Sequence, residues 1–384
     1  VGARSMKIVT DANILAVERG FGRFGELVLL PGREIQQADL VDADALLVRS
    51  ITRVNSSLLA GTAVKFVATA SSGTDHIDLH YLGEENIGFA DAKGSNANAV
   101  VDYCFAAIAF ALLNQHFPVA EIEVGIIGGG NVGGLFANKL SRLGIAHRIY
   151  DPFLHGVDSH CPSLEQAMQC KIVSLHVPLT VCGDYPTRNL IAGEILELLE
   201  PGAVLINTCR GSVVDELALS EFLKVRPDIT TVFDVWENEP EINQALAAAV
   251  HIATPHIAGY SQQAKLAATE QIQQAFQNYF FGQKSLQDST VEVSKISDVK
   301  QVVPVDFQFE SELANWATLL NVLPLDELSR EFKQSLVTGA GAACFDEFRI
   351  RLMQRQEFRK YSLKSQRLNA GNEKLLAAMG FSLP

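Results

Sequence analysis

Four short segments of this 384-residue chain hold residue types that can do chemistry together. His256 follows Thr254-Pro255, Glu239 lies in Asp234-Val235-Trp236-Glu237-Asn238-Glu239-Pro240, and Arg210 lies in Asn207-Thr208-Cys209-Arg210-Gly211. A glycine-rich loop, Gly128-Gly129-Gly130-Asn131-Val132-Gly133, precedes all three. An imidazole can exchange a hydroxyl proton, and a carboxylate beside an imidazole favours its cation and fixes its tautomer. A guanidinium offers a carboxylate a planar fork of hydrogen bonds and keeps its charge. Beside a reacting carbon it also polarises a developing carbonyl. The glycines follow an apolar strand and open a helix, the context in which such a loop cradles a dinucleotide pyrophosphate. Together these residues describe a site that moves a hydride between a nicotinamide and a carbon bearing a hydroxyl.

Within the loop, Gly128 and Gly130 allow a tight turn and close approach of the pyrophosphate, and Gly133 allows helix–strand packing. The helix N-terminus adds unpaired N–H groups and the positive end of a dipole. Asp151, eighteen residues after Gly133 and directly after a strand, can accept hydrogen bonds from an adenosine ribose. It would repel a 2′-phosphate, which favours NAD over NADP. Arg148 precedes the strand end and is expected to point elsewhere. Glu239 stands seventeen residues before His256. Glu237 and Asp234 compete with it for the partner role, and spacing alone does not separate the three.

The elements that must position these residues belong to a large folded chain. Hydrophobic residues make up 48% and charged residues 20% of it, enough apolar material for two or three cores. The formal charge of −13 weighs against a nucleic-acid partner. It also requires specific arginines and backbone N–H groups to hold any anionic ligand. The six cysteines include no CxxC pair and no matching histidine spacing, which argues against a metal site and for a reducing, cytoplasmic compartment. No uncharged apolar run reaches the roughly 18 residues of a membrane span. The segment before Met6 reads as a cloning remnant, and no basic-then-apolar export signal follows it.

Short apolar runs alternate with helical stretches through the first hundred residues: Lys7–Thr10, Ala45–Arg49, Lys65–Thr69 and Ile87–Ala90. Continuous apolar strands between helices imply a parallel sheet covered on both faces. Ligands of such sheets bind beyond the strand C-terminal ends, where Arg49-Ser50 and Ser71-Ser72-Gly73 fall. An apolar helix over Val100–His116 is expected to link this lobe to a second. There strands are expected at Ile122–Ile127, Ala146–Tyr150, Lys171–His176, Ala203–Asn207, Thr231–Asp234 and Val250–Ala253. Ser261–Phe281 reads as a long helix returning to the first lobe. Val291–Ser294 and Asp306–Phe309 look like strands, followed by amphipathic helices. The expected fold is α/β: two doubly wound, Rossmann-like lobes with parallel sheets plus a small α+β C-terminal domain. The expected boundaries are 1–100 with 258–285, 101–257, and 286–384.

Over residues 6 to about 283 the chain resembles the D-isomer-specific 2-hydroxyacid dehydrogenase family. The matching motifs are Gly73-Thr74-Asp75-His76-Ile77-Asp78, the glycine-rich loop, His176-Val177-Pro178-Leu179-Thr180, and the segments around Arg210, Glu239 and His256. The resemblance implies Arg210, Glu239 and His256 as the catalytic set and prefers Glu239 as the partner of His256. It implies NAD contacts from Gly128, Gly130, Asn131, Val132, Asp151, Val177, Thr208, Cys209, Arg210, Asp234 and Gly259. Further details narrow the resemblance to members acting on a small phosphorylated hydroxyacid. They are Thr10-Asp11-Ala12-Asn13, Val48-Arg49-Ser50-Ile51-Thr52-Arg53-Val54-Asn55, His256-Ile257-Ala258-Gly259-Tyr260, and a C-terminal extension containing Phe345-Asp346-Glu347-Phe348-Arg349. They imply Ser50, Ser71 and Tyr260 as substrate-binding residues and a homodimer built by the extension. Ala12 stands where an acidic residue is usual, and Ala70-Ser71-Ser72-Gly73 where a Thr-containing version is usual. A substrate with both carboxylate and phosphate needs two cationic grips. Arg210 serves the first, Arg49 or Arg53 is the candidate for the second, and Arg349 from a partner subunit is a further one. Two alternatives stay open: the same chemistry on another acid such as 3-phosphoglycerate, and a non-catalytic NAD-sensing protein on the same scaffold.

Overall fold

A computed structural model describes residues 5–115, 118–154, 156, 159–282, 301–303, 312–339, 342–363 and 370–382. These residues form two compact units. The first holds β1 (Met6–Asp11), β2 (Gly25–Leu30), β3 (Ala45–Val48), β4 (Phe66–Thr69) and β5 (Gly88–Ala90) in the order β2-β1-β3-β4-β5. Every pairing is parallel. β3 and β4 are buried throughout, as their uninterrupted apolar runs require. β2 was not among the expected strands, although Gly25 and Pro31-Gly32 bound it. It is a partly exposed edge strand. Strand order reverses between β1 and β3, so Asp11 and Arg49-Ser50 lie at the switch point where open parallel sheets bind ligands.

Helix Gln262–Phe281 packs on this sheet. Its Phe276 ring lies 5.8 Å from Phe66 and 5.4 Å from Phe21. Thr269 Oγ1 donates to the Leu15 carbonyl at 2.8 Å, tying the helix to the start of the unit.

The second unit opens with helix Ala97–Gln115. The window Ala97–Asn114 is long and apolar enough to cross a membrane, yet 78% of it is buried inside the protein, as in a core helix. β6 (Glu123–Ile127), β7 (Ala146–Tyr150), β8 (Ile172–Leu175), β9 (Val204–Asn207), β10 (Thr230–Phe233) and β11 (Ile252–Ala253) form a sheet in the order β11-β10-β9-β8-β6-β7. All its pairings are parallel, and β8, β9 and β10 are buried along their whole length. The two parallel, helix-covered sheets are the α/β architecture the strand pattern implies.

The described residues after 299 belong to this second unit. Helix Glu312–Val322 stacks Trp316 on Phe105 of the opening helix at 6.2 Å. Helix Leu325–Thr338 covers the edge strand β11, where Ser329 Oγ accepts the Ala253 N–H at 2.9 Å. Lys333 donates to the carbonyls of Val250 and His251. An open sheet edge is thereby closed. β12 (Gln301–Val303) and β13 (Tyr361–Leu363) pair in parallel. The strands expected at 291–294 and 306–309 lie outside the described residues.

Candidate active site

The glycine-rich loop leaves β6 and enters helix Asn131–Leu143, whose N-cap, Gly130, supplies no side-chain cap. Each glycine has its own reason. Gly128 has φ +99°, a conformation L side chains rarely adopt, and a Cβ there would lie 2.7 Å from the His176 carbonyl oxygen. A Cβ on Gly133 would lie 1.9 Å from the Gly128 carbonyl oxygen, so helix and turn touch backbone to backbone. A Cβ on Gly130 would meet nothing within 4 Å, which leaves the helix N-terminus open to an approaching anion. Asp151 ties the cradle together, accepting from Gly129 N–H at 2.8 Å and Phe153 N–H at 3.0 Å. Arg148 points away into a forked pair with Glu123 at 2.7 Å and 3.3 Å. This cradle fits a dinucleotide pyrophosphate with a carboxylate at the following strand end.

The cradle yields a contrast between two variants. Gly133→Ala forces a backbone clash, so it is expected to cost about 1–3 kcal/mol of stability as well as NAD affinity. Gly130→Ala is expected to melt like the parent yet bind NAD at least about tenfold more weakly, because its methyl occupies the anion's approach. Calorimetry and NAD titration check both; equal affinities for Gly130→Ala and parent would contradict the placement.

Arg210, Glu239 and His256 follow β9, β10 and β11. Those strands are parallel neighbours, so the loops that carry these residues emerge at one edge of the sheet. The loops also lock onto each other. A Cβ on Gly211 would stand 1.9 Å from the Trp236 carbonyl carbon, so only glycine lets the Arg210 turn lie against the Glu239 loop. Trp236 Nε1 donates to the Thr254 carbonyl at 2.9 Å, joining the Glu239 loop to the His256 loop.

His256 Nδ1 lies 2.7 Å from Glu239 Oε2, and Glu239 Oε1 accepts the Trp236 N–H at 2.8 Å. The competing acids are engaged elsewhere. Glu237 pairs with Arg188 at 3.0 Å and accepts from Ser212 at 3.4 Å. Asp234 is fully buried and takes hydrogen bonds from Thr254 Oγ1 at 2.6 Å, Ile257 N–H at 2.8 Å and Ala258 N–H at 2.8 Å. Burial pushes its carboxyl up to about 6, against the pull of His256 and those three donors. Asp234 thus acts as a staple for the histidine loop. His256 itself has φ +56°, a conformation costly for most side chains, and its N–H is held by the Asp234 carbonyl at 2.6 Å.

Burial works to raise the Glu239 carboxyl, but His256, its hydrogen bond, the Trp236 N–H and Arg349 outweigh it, and the net displacement is downward. A carboxylate held low stabilises the fold above its unfolded value and loses that contribution on acidification. The stability gap between the parent and Glu239→Gln is therefore expected to be widest near neutrality. It should close as pH falls below the ordinary glutamate value of 4.5. Melting curves across that range test it; a gap that widens on acidification would contradict the sign.

The remaining expected residues are distributed as follows. Val177, Gly259 and Tyr260 are half-buried, Thr208 and Cys209 buried, and Asn131 exposed, all in the second unit. Arg210 Nη1 donates to the Cys209 carbonyl at 2.7 Å. In the first unit Ser50 is exposed, and Ser71 Oγ lies 2.7 Å from Thr69 Oγ1 and donates to the Gly73 carbonyl at 3.0 Å. Arg49 gives Nε and Nη2 to the fully buried Asp11 at 2.8 Å and 3.4 Å.

Over 275 residues the chain is 46% identical to the erythronate-4-phosphate dehydrogenase of Hahella chejuensis, covering 71% of this chain and 72% of that one. With the protein of the same name from Teredinibacter turnerae it shares 38% identity over 384 residues, 98% of this chain and 99% of the other. The chain belongs to the erythronate-4-phosphate dehydrogenase family. The model for the NAD binding domain of D-isomer specific 2-hydroxyacid dehydrogenases matches residues 113–258, which span the cradle and all three catalytic candidates. The fold is shared with NAD+-bound 3-phosphoglycerate dehydrogenase from Entamoeba histolytica, with a TM-score of 0.63 at 24% identity, covering 74% of this chain and 99% of that one.

Several residues that shape the site had no assigned part in the sequence pattern. Tyr103 meets Thr254 Oγ1 at 2.6 Å. Glu216 accepts the Glu237 N–H at 2.7 Å. Arg355 donates to the carbonyls of Tyr260, Ala258 and Ala99. Their contacts span 21 to 256 positions of sequence, so no local motif marks them.

Proposed function

We propose that the chain oxidises the C2 hydroxyl of 4-phospho-D-erythronate to (R)-3-hydroxy-2-oxo-4-phosphooxybutanoate, a step of pyridoxal 5′-phosphate biosynthesis. It is an NAD-dependent 2-hydroxyacid dehydrogenase. The observation that carries the reading is the 2.7 Å contact of His256 with Glu239 on adjacent strand-end loops, in a chain 38% identical end to end to such an enzyme.

The glycine cradle and Asp151 would hold the pyrophosphate and ribose, with Asn131, Val132, Val177, Thr208, Cys209, Asp234 and Gly259 around the remainder. NAD, once bound, supplies the hydride acceptor. With Nδ1–H donated to Glu239, His256 Nε2 carries the lone pair that takes the hydroxyl proton. Glu239 stabilises the imidazolium that results. Arg210 grips the substrate carboxylate and polarises the C2 oxygen as it becomes a carbonyl. Ser50, Ser71 and Tyr260 bind substrate. Arg49, held rigid by Asp11, presents its remaining Nη1 corner.

The experiment is turnover of 4-phospho-D-erythronate, D-erythronate and 3-phosphoglycerate side by side, read as reduced nicotinamide. The first is expected to give the largest kcat/KM. A preference for 3-phosphoglycerate would move the assignment to that acid, and no turnover of any would favour a nucleotide-sensing role. A homodimer and a cytoplasmic location complete the proposal. Sedimentation of the purified protein tests the first and cell fractionation the second.

A further inference from the structure

Helix Ala342–Arg351 sets a guanidinium on the segment that follows His256. Arg349 has 13% of its side chain exposed. Its guanidinium carbon lies 4.7 Å from the Tyr260 ring centroid and 5.8 Å from that of Phe345, so aromatic rings flank the cation. Buried cations are normally matched by a carboxylate in close geometry. Even more exposed arginines of the chain are closely paired: Arg148 with Glu123, Arg226 with Asp228, Arg359 with Glu357. Arg349 departs from this pattern. Its ion pair among the described residues is a long one, 3.7 Å to an Asp346 that is itself 37% exposed. Its Nε–H is buried with no hydrogen-bond partner among the described residues. The charge also reaches Glu239, where it helps hold that carboxyl low.

A planar fork with an unused donor, held on the ring of Tyr260 four residues after His256, is suited to an anion brought from outside the chain. We infer that Arg349, from the chain's own C-terminal helix, grips the phosphate of the substrate, with Tyr260 keeping the guanidinium in place. This rests on the phosphorylated-substrate reading above. The sequence alone put Arg349 forward as a partner subunit's contribution; the structure lays it on Tyr260 of the same chain. The C-terminal extension then has a part in substrate choice within one chain.

Arg349→Gln and Arg349→Lys, each saturated with NAD, are to be compared with the parent on 4-phospho-D-erythronate and D-erythronate. Binding of inorganic phosphate is measured alongside by calorimetric titration. The glutamine variant is expected to lose about 10²- to 10³-fold in kcat/KM on the phosphorylated substrate, chiefly through KM. On D-erythronate it should stay within roughly threefold, as expected for a contact that substrate does not make. Phosphate binding should vanish in the glutamine variant, while the lysine variant, which keeps the charge and loses the fork, should fall between the two. Equal losses on both substrates, or unchanged phosphate binding, would overturn the inference. Should the glutamine variant melt below the assay temperature, the lysine variant carries the same comparison. If the parent shows no preference for the phosphorylated acid, the functional reading falls by itself. The phosphate titration then still decides: lost binding in the variant keeps Arg349 as an anion grip, and retained binding removes it.

Discussion

His256→Asn is expected to lower kcat by about 10²–10⁴, the range spanned by loss of a general acid–base group. Asparagine is the informative replacement because residue 256 has φ +56°, a conformation that asparagine tolerates better than alanine. The backbone bonds that hold the loop, from the N–H of residue 256 to the Asp234 carbonyl and from Ile257 and Ala258 to the Asp234 carboxylate, do not involve the imidazole. The variant should therefore keep the loop, giving up only what the Glu239 pair contributes to stability, and bind NAD with unchanged affinity, leaving the loss in the chemical step. Steady-state kinetics with a parallel NAD titration read both quantities. Turnover within tenfold of the parent would remove His256 from the proton path.

The second large effect falls on a residue 99 positions further along the chain. Arg355 sends hydrogen bonds to the carbonyls of Tyr260 and Ala258, just after His256, and to Ala99 at the start of the core helix. Around it, Glu357 accepts from Ser261 Oγ at 2.8 Å, and Asp102 accepts the Phe358 N–H at 2.8 Å and pairs with Lys139 at 3.3 Å. Arg355→Met would leave three carbonyls without that donor and two buried acids, Asp102 and Glu357, short of a positive charge. The expected cost is about 3–5 kcal/mol, the range for removing one partner of a buried charged network. At roughly 2–4 °C per kcal/mol for a domain of this size, the midpoint should drop by about 6 °C or more. A loosened Ala258–Tyr260 turn should also lower kcat/KM. Arg355→Lys should recover only part of both, since a point-like ammonium lacks the spread of donors by which the guanidinium reaches three carbonyls. Calorimetry and kinetics on the pair test this; a loss under about 1 kcal/mol would mean the C-terminal segment does not clamp the histidine loop.

Much of the fold was legible because parallel strands buried on both faces read as unbroken apolar runs. The strands β3, β4, β6 and β8 to β11 stand within a residue or two of where those runs place them. β2 was not expected, although Leu27–Leu30 is an apolar run of the same kind; it is a half-exposed edge strand. The cradle was legible for a different reason. Its glycines answer local backbone demands, the positive φ of Gly128 and the contact at Gly133, and local demands leave local marks.

The choice among three acids was another matter. Asp234, Glu237 and Glu239 lie within six residues, and any of them satisfies the spacing to His256. The family resemblance prefers Glu239, and the packed loops give the physical reason: Arg188 engages Glu237, the Thr254–Ala258 turn engages Asp234, and Glu239 is left against the imidazole. Arg49 reads in sequence as an open grip, and a buried Asp11 takes two of its nitrogens. Arg349 and Arg355 bear on the histidine loop from about ninety residues away. The sequence by itself determined the two parallel sheets, the dinucleotide cradle and the residue types of the reaction, since periodicity and backbone sterics act over a few neighbours. Why Glu239 and not its neighbours steadies the histidine, and which arginines lie on its loop, was decided by tertiary structure. Charge pairing follows distance in space, and distant segments meet only when the chain folds.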